Sequence, residues 1–154
     1  MASIKSPSSD LYERDYYAWL QSQVQALRER RTEDVDWENV AQEIEGLAKS
    51  ERRGISSHLA TVVEHLLKLE YARSIFREYN ARGWRVSVRS ARRQVRKLLK
   101  ESPSLCPQLE EMLVDAYEDG RLEALRDRRL KEDILPKASP WTLEQVMDDS
   151  FLPG

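Results

Sequence analysis

Residues 36–79 read DWENVAQEIEGLAKSERRGISSHLATVVEHLLKLEYARSIFREY, which is the longest helical pattern in the chain. Its apolar residues recur every three or four positions in a single phase, which is the periodicity of an amphipathic α-helix. Asp36 precedes the first turn and predicts an N-cap. Gly46 and Gly54 each weaken a helix by ~1 kcal/mol relative to alanine. We therefore expect one very long helix, or two nearly collinear ones, with a bend or break near Gly54.

Three polar residues share the apolar face of this stretch. Glu51, His58 and His65 are seven positions apart, and at about 100° per residue they fall within roughly 40° of one apolar direction. The apolar residues in that direction are Val40, Ile44, Leu47, Val62, Leu69 and Phe76. Because an unpaired buried polar group costs on the order of 1–3 kcal/mol, the three side chains need partners. We predict an interior polar seam of Glu51, His58 and His65, which is either a closed hydrogen-bond network or a pocket between helices.

The spacing of the two histidines does not favour a shared metal ion. Seven residues of α-helix rise ~10.5 Å, whereas the ligands of one zinc ion lie about 2.0–2.2 Å from it. A helical two-ligand motif needs a spacing of three or four, and no suitable ligand stands at those positions around His58 or His65. One histidine can still join carboxylates of other helices, with Glu43, Glu45 or Asp15 as donors. We assign no metal ligand and no cofactor.

The flanking sequence predicts further helices. Small polar residues make 1–9 a flexible lead-in, and Asp10 caps a helix of about 11–30. The pair Asn80 and Gly83 indicates a turn. Later helices are expected from Trp84 to the residue before Pro103, from Ser104 to about Leu130, and from Thr142, whose spacing to Gln145 fits a capping box.

The composition fits an all-α domain. The 154 residues are 40% apolar and 34% charged, with 5 Gly and 6 Pro, which suits long helices better than turn-rich β structure. We predict a single domain over residues 10–154: a mainly antiparallel bundle of four to five principal helices plus a short C-terminal helix, with Trp19, Trp37 and Trp84 in the core. The single cysteine excludes an internal disulfide. With neither a long apolar run nor a signal peptide, we expect a cytoplasmic protein without a membrane segment.

A second candidate site is a basic helix. Between residues 80 and 100 there are eight positive residues and no acid. Seven of them lie at roughly 80–220° from Trp84, opposite the apolar stripe. They are Arg85, Arg89, Arg92, Arg93, Arg96, Lys97 and Lys100. Residues 101–120 carry six acids and no base, so we expect the next helix to neutralise part of this face.

Six strings spread over nearly the whole chain occur in the order seen in a known family. They are DLYERDYYAWL (10–20), DWENVAQEIEGLAKSERR (36–53), HLLKLEY (65–71), RRQVRKLLKESPSL (92–105), AYEDGR (116–121) and PWTLEQVMDDSFLP (140–153). Together they resemble a bacterial family common in cyanobacteria and proteobacteria, domain-of-unknown-function family twenty-nine. The resemblance implies a compact helical bundle. The family has no assigned activity, so the resemblance supplies no catalytic residue.

The sequence favours a non-enzymatic interaction or adaptor module that presents the basic helix face. It contains no assembled catalytic motif, and an acidic protein partner or self-association fits a dense face of one charge. The alternative is a small-ligand or metal-dependent bundle enzyme that uses the polar seam. A third reading, nucleic-acid binding, rests on the arginine-rich helix alone, because the net charge is only −2. Whether the protein is an enzyme stays open.

Overall fold

The structure, a computed structural model, describes residues 7–127 and 130–154, with the side chains of 10–127 and 130–154. These residues form α-helices and no β-strand, so the all-α prediction is confirmed. The helices are α1 (Pro7–Arg14), α2 (Tyr16–Arg28), α3 (Trp37–Tyr71), α4 (Ser74–Glu101), α5 (Leu109–Arg126) and α6 (Leu143–Met147). Short 3-10 helices lie at Thr32–Asp34, Pro103–Gln108 and Glu132–Ile134. None of the helices within the described ranges has the length and apolar character needed to cross a membrane.

The chain forms two compact units, residues 1–50 and 51–154. Helix α3 begins in the first unit and ends in the second. It continues as an α-helix through Gly54, so the break predicted there is wrong. The helix continues because every turn from Ile55 onward buries apolar side chains, and that burial outweighs a glycine penalty of ~1 kcal/mol.

The first unit contains two helices where the sequence predicts one over 11–30. The Asp15 carboxylate accepts a hydrogen bond from the backbone N–H of Ala18 at 3.0 Å, which caps α2 and separates it from α1. Helix α1 begins at Pro7, before the end of the predicted lead-in, and residues 1–6 lie outside the described part of the chain.

The core of the first unit is small. Its described residues bury three apolar side chains, Trp19, Ala26 and Val35. Trp37 is 58% exposed, so its predicted core position is wrong. Trp37 is the first residue of α3. The preceding residue, Asp36, accepts the first hydrogen bond of the helix through its carbonyl, from the Val40 N–H at 2.9 Å.

In the second unit α4 runs antiparallel to α3. The two helices are joined at residues 72–73, so the turn predicted at Asn80 and Gly83 is wrong. Asn80 lies within α4, where its side chain donates to the carbonyl of Phe76 at 2.7 Å. Trp84 is buried, as predicted.

Helix α5 runs parallel to α3. Arg52, near the start of the α3 portion in this unit, donates to the side-chain oxygen of Gln108. It also donates to the Glu111 carboxylate at 3.0 Å. Further along, a Cβ at Gly120 would lie 2.5 Å from the carbonyl oxygen of Ala60. The three helices enclose one apolar cluster, formed mainly by the α3 side chains Ile55, Leu59, Val62, Val63, Leu66, Leu67 and Leu69 with α4 and α5 residues.

Residues 142–154, which we call the 142–154 segment, pack on this unit. The segment starts with the predicted capping box, because Thr142 and Gln145 exchange side-chain-to-backbone hydrogen bonds. Val146 is fully buried, and Phe151 contacts the ring of Trp141 edge-to-face at 6.2 Å between centroids.

Candidate functional site: the faces of helix α4

Helix α4 carries the predicted basic face. Its core side consists of Trp84, Val88, Ala91 and Val95, all buried. At about 100° per residue from Trp84, the predicted cations cover roughly 80–220°. The structure divides this arc into a sector that is bound by the 142–154 segment and a sector that is open.

Arg85 and Arg96 belong to the bound sector, together with Arg92. Arg96 Nη1 lies 2.9 Å from Asp149 Oδ2, and Arg96 Nη2 donates to the Met147 carbonyl at 2.6 Å. Arg85 Nη2 donates to a carbonyl at the far end of the same segment at 3.0 Å. These two guanidinium groups therefore already have partners within the chain.

Arg92 is fully buried, with 0% of its surface exposed, so its predicted place on an open basic face is wrong. Its Nε donates to the Val146 carbonyl at 2.7 Å and its Nη2 donates to the Phe151 carbonyl at 2.9 Å. Burial lowers the pKa of Arg92, and the carboxylate of Asp149 opposes that shift. The planar guanidinium suits this position because it reaches several carbonyls at once.

The open sector holds the other four predicted cations, Arg89, Arg93, Lys97 and Lys100, which we call the cation row. All four are exposed. Within the described ranges no hydrogen bond or ion pair reaches any of them. At 1.5 Å per residue, the row extends ~16.5 Å along α4.

The acidic stretch 101–120 does not neutralise α4, contrary to expectation. No ion pair between α4 and α5 occurs among the residues that the structure describes, and Glu111 pairs with Arg52 of α3 at 3.0 Å. The carboxylate that meets an α4 cation is Asp149, which the sequence analysis did not single out. Asp149 reaches α4 because the 142–154 segment packs against the side of α4 that carries Arg96.

The predicted polar seam is divided in a similar way. Glu51 is exposed, and its Oε2 accepts a long contact of 3.4 Å from the Ser102 hydroxyl, so its predicted interior position is wrong. The apolar face of α3 that Glu51 shares is not buried before residue 51, because Ile44 is 61% exposed and Leu47 is 69% exposed. His58 and His65 are partly buried.

His65 is held within its own helix. Its Nδ1 donates to the Thr61 carbonyl at 2.9 Å and lies 3.7 Å from the Glu64 carboxylate. Glu64 in turn accepts from Lys68 Nζ at 2.6 Å. Because a carbonyl only accepts, Nδ1 carries the proton in the neutral ring.

His58 lines a hollow between α3 and α4, which we call the His58 hollow. Its volume is about 340 Å³. Its polar lining consists of His58, Thr61, Ser87, Ser90 and Gln94, and its apolar lining consists of Val86 and Ala91. Of the three residues of the predicted seam, His58 lines this hollow, and Glu51 and His65 do not.

Two larger hollows lie elsewhere in the second unit. One, of about 590 Å³, follows α3 and α5, and two of its three lining carboxylates, Glu64 and Glu123, are paired with Lys68 and Arg126. The other, of about 550 Å³, lies between α5 and the connector before α6. Among the described residues, no group of three or more His, Cys, Asp or Glu side chains is placed to hold a metal ion.

The first unit contains a polar cluster that the sequence analysis missed. Tyr12 and Tyr16 donate their hydroxyls to the two oxygens of Glu43, at 2.6 and 2.7 Å. The hydrogen bond to Glu43 raises the pKa of Tyr12 to about 12, and the two phenols lower the pKa of Glu43. The signal was a pair of tyrosines four positions apart in the stretch that the sequence predicts as one helix.

The comparisons with known proteins give a family and no further likeness. No curated protein and no solved structure matches the chain. The model of the family described as "Domain of unknown function DUF29" matches residues 11–152, nearly the whole sequence. This match confirms the resemblance carried by the six strings. The chain therefore belongs to the DUF29 family.

Proposed function

We propose that this protein is an interaction module that binds an acidic segment of a protein partner along the cation row of α4. The supporting observation is that four adjacent cations stay exposed and unpaired in the described structure, while the three flanking arginines are paired within the chain. Unpaired charges of one sign attract a complementary surface and steer its approach.

The strength of such a contact follows from its exposure. An exposed ion pair contributes about 0.2–1 kcal/mol, so four pairs give a weak contact by themselves. Screening at physiological salt acts over ~8 Å, which is shorter than the row. Binding therefore depends on local pairing along α4 and weakens as salt is raised.

An acidic protein segment fits the row better than a nucleic acid does. Nucleic-acid-binding surfaces usually belong to strongly basic domains, whereas this chain has a net charge of −2. Three of the seven predicted cations are occupied by the 142–154 segment, which leaves too narrow a strip to follow a duplex backbone.

The test uses a fluorescent glutamate homopolymer of about ten residues, which in extended form at ~3.3 Å per residue spans the row. We expect salt-sensitive binding by anisotropy, and we expect the variant Arg89→Glu, Arg93→Glu, Lys97→Glu, Lys100→Glu to lose it. The matched control reverses four other exposed cations, Arg28, Lys49, Arg73 and Lys131, and so changes the net charge equally.

The control variant should retain most of the binding. An equal loss in both variants would mean that the peptide responds to total charge, which contradicts a site on α4. Tighter binding of a DNA duplex than of the peptide at the same salt concentration would contradict the choice of partner.

A further inference from the structure

The His58 hollow is a second candidate binding site, and it does not depend on the cation row being a docking surface. It lies between α3 and α4, on the opposite flank of α4 from the 142–154 segment. At about 100° per residue from Trp84, the α4 residues that line it lie at roughly 200–340°, next to the cation row at 140–220°.

We propose that the His58 hollow binds a small organic anion, a phosphate monoester or a carboxylate. Its polar lining offers hydrogen-bond donors, from the imidazole of His58, the hydroxyls of Ser87 and Ser90, and the amide of Gln94. No carboxylate lines the hollow. A donor-rich site without acids suits an anion and disfavours a cation or an amine.

These donors are not used up by contacts within the protein. In the described part of the chain, the side chains of His58, Ser87, Ser90 and Gln94 make no hydrogen bond to another residue. Thr61 differs, because its hydroxyl donates to the Ser57 carbonyl at 3.2 Å. A closed structural network would pair these groups with one another, whereas here they border open space.

The neighbouring charges add to this preference. Arg89, Arg93 and Lys97 lie on adjacent turns of the same helix, and none is neutralised by an ion pair within the described residues. Their combined potential favours a negative ligand in the hollow. The α3 side of the hollow is also rigid, because α3 packs into the core through its buried face from Ile55 onward. The hollow is therefore formed by two well-packed helices.

The volume limits the size of the ligand. At about 340 Å³, the hollow is near the lower end of the ~300–1,000 Å³ usual for ligand pockets. It accommodates a phosphate or carboxylate with a short carbon chain. Because the hollow is open on one side, we expect a dissociation constant of about 1 mM.

The test follows the imidazole resonances of both histidines by NMR during titration with glycerol 3-phosphate, succinate and uncharged glycerol. We expect His58 to shift saturably with at least one of the two anions, and not with glycerol. The comparison of the two anions distinguishes a phosphate site from a carboxylate site. His65, which lines none of the hollows described above, should not follow the same curve.

Variants connect the binding to the lining residues. We expect His58→Gln to weaken binding about tenfold, from the loss of a hydrogen bond to a charged group, and the matched His65→Gln to leave it unchanged. The double variant Ser90→Ala, Gln94→Ala tests the same site from α4 if His58→Gln fails to fold. Binding that survives both would overturn the proposal, as would an unsaturable shift of both histidines. Loss of anion binding with intact peptide binding separates this site from the cation row.

Discussion

At Gly120, the packing of α5 against α3 depends on the absence of a single methyl group. A Cβ there would lie 2.5 Å from the Ala60 carbonyl oxygen and 2.9 Å from the side chain of Val63. Both neighbours belong to the buried part of α3, so neither moves without disturbing the core. This glycine was part of the AYEDGR string, but sequence alone did not distinguish it from the other helical glycines.

We predict that Gly120→Ala destabilises the protein by about 1–3 kcal/mol, the usual penalty of overpacking. The control is Gly83→Ala in α4, where an added Cβ meets nothing within 4 Å. That change should stabilise the protein by up to ~1 kcal/mol, because alanine is the better helix former. Urea unfolding followed by circular dichroism measures both. Equal stability of the two variants would show that α3 and α5 can separate slightly at this point.

Arg92 illustrates why burial of a polar residue is hard to predict from helical periodicity. Periodicity places Arg92 on the polar side of α4, as it does the following residue, Arg93. In the structure Arg93 is exposed and Arg92 is buried. What periodicity lacks is knowledge of the chain that returns from a distant position to cover the helix. The partners of Arg92 are backbone carbonyls more than fifty residues away, and carbonyls leave no signature in a sequence.

At the scale of elements, the 142–154 segment is held on α4 by the buried Arg92, together with the more exposed Arg85 and Arg96. Its single short helix, α6, has only five residues and does not form by itself in water. The segment instead relies on the burial of Val146 and on the hydrogen bonds from Arg92. The segment should therefore respond strongly to the loss of that guanidinium.

We predict that Arg92→Met lowers the free energy of unfolding by about 1–3 kcal/mol, because the carbonyls of Val146 and Phe151 lose their donors. Arg93→Met, the adjacent change at an exposed residue, should alter stability by less than about 0.5 kcal/mol. Urea unfolding gives both values, and limited proteolysis should cut the Arg92→Met protein earlier within 142–154. Similar behaviour of the two variants would contradict the role assigned to Arg92.

Helix α3 shows which part of an element the sequence predicts well. From Ile55 onward the apolar pattern agrees with the buried face, and the partly buried positions of His58 and His65 follow from it. Upstream the same phase continues in the sequence, yet Ile44 and Leu47 are exposed. A periodic pattern indicates that a helix is amphipathic. It does not indicate which turns of the helix pack against other elements and which stay exposed. The inward placement of Glu51 was wrong for this reason.

At the scale of the whole molecule, the two compact units differ in how much apolar surface they bury. The described part of residues 1–50 buries Trp19, Ala26 and Val35, and relies on polar contacts such as the Tyr12 and Tyr16 hydrogen bonds to Glu43. Residues 51–154 bury whole faces of three long helices. Since a small apolar core supports little stability, local opening in the first unit needs less free energy than opening of the second.

We predict that amide hydrogen exchange of the full chain follows this difference, even within one helix. Amides in residues 38–50 of α3 should exchange at least ten times faster than those in residues 58–69, which corresponds to about 1.4 kcal/mol less protection. Helix α2 should exchange with the faster group, because its protection depends on the same small core around Trp19. The exchange is measured residue by residue by NMR, with the exposed ends of α4 as an internal standard for fraying. Uniform protection along α3 would mean that residues 1–50 open only when the whole chain unfolds, and the small buried core would then not limit the stability of the first unit.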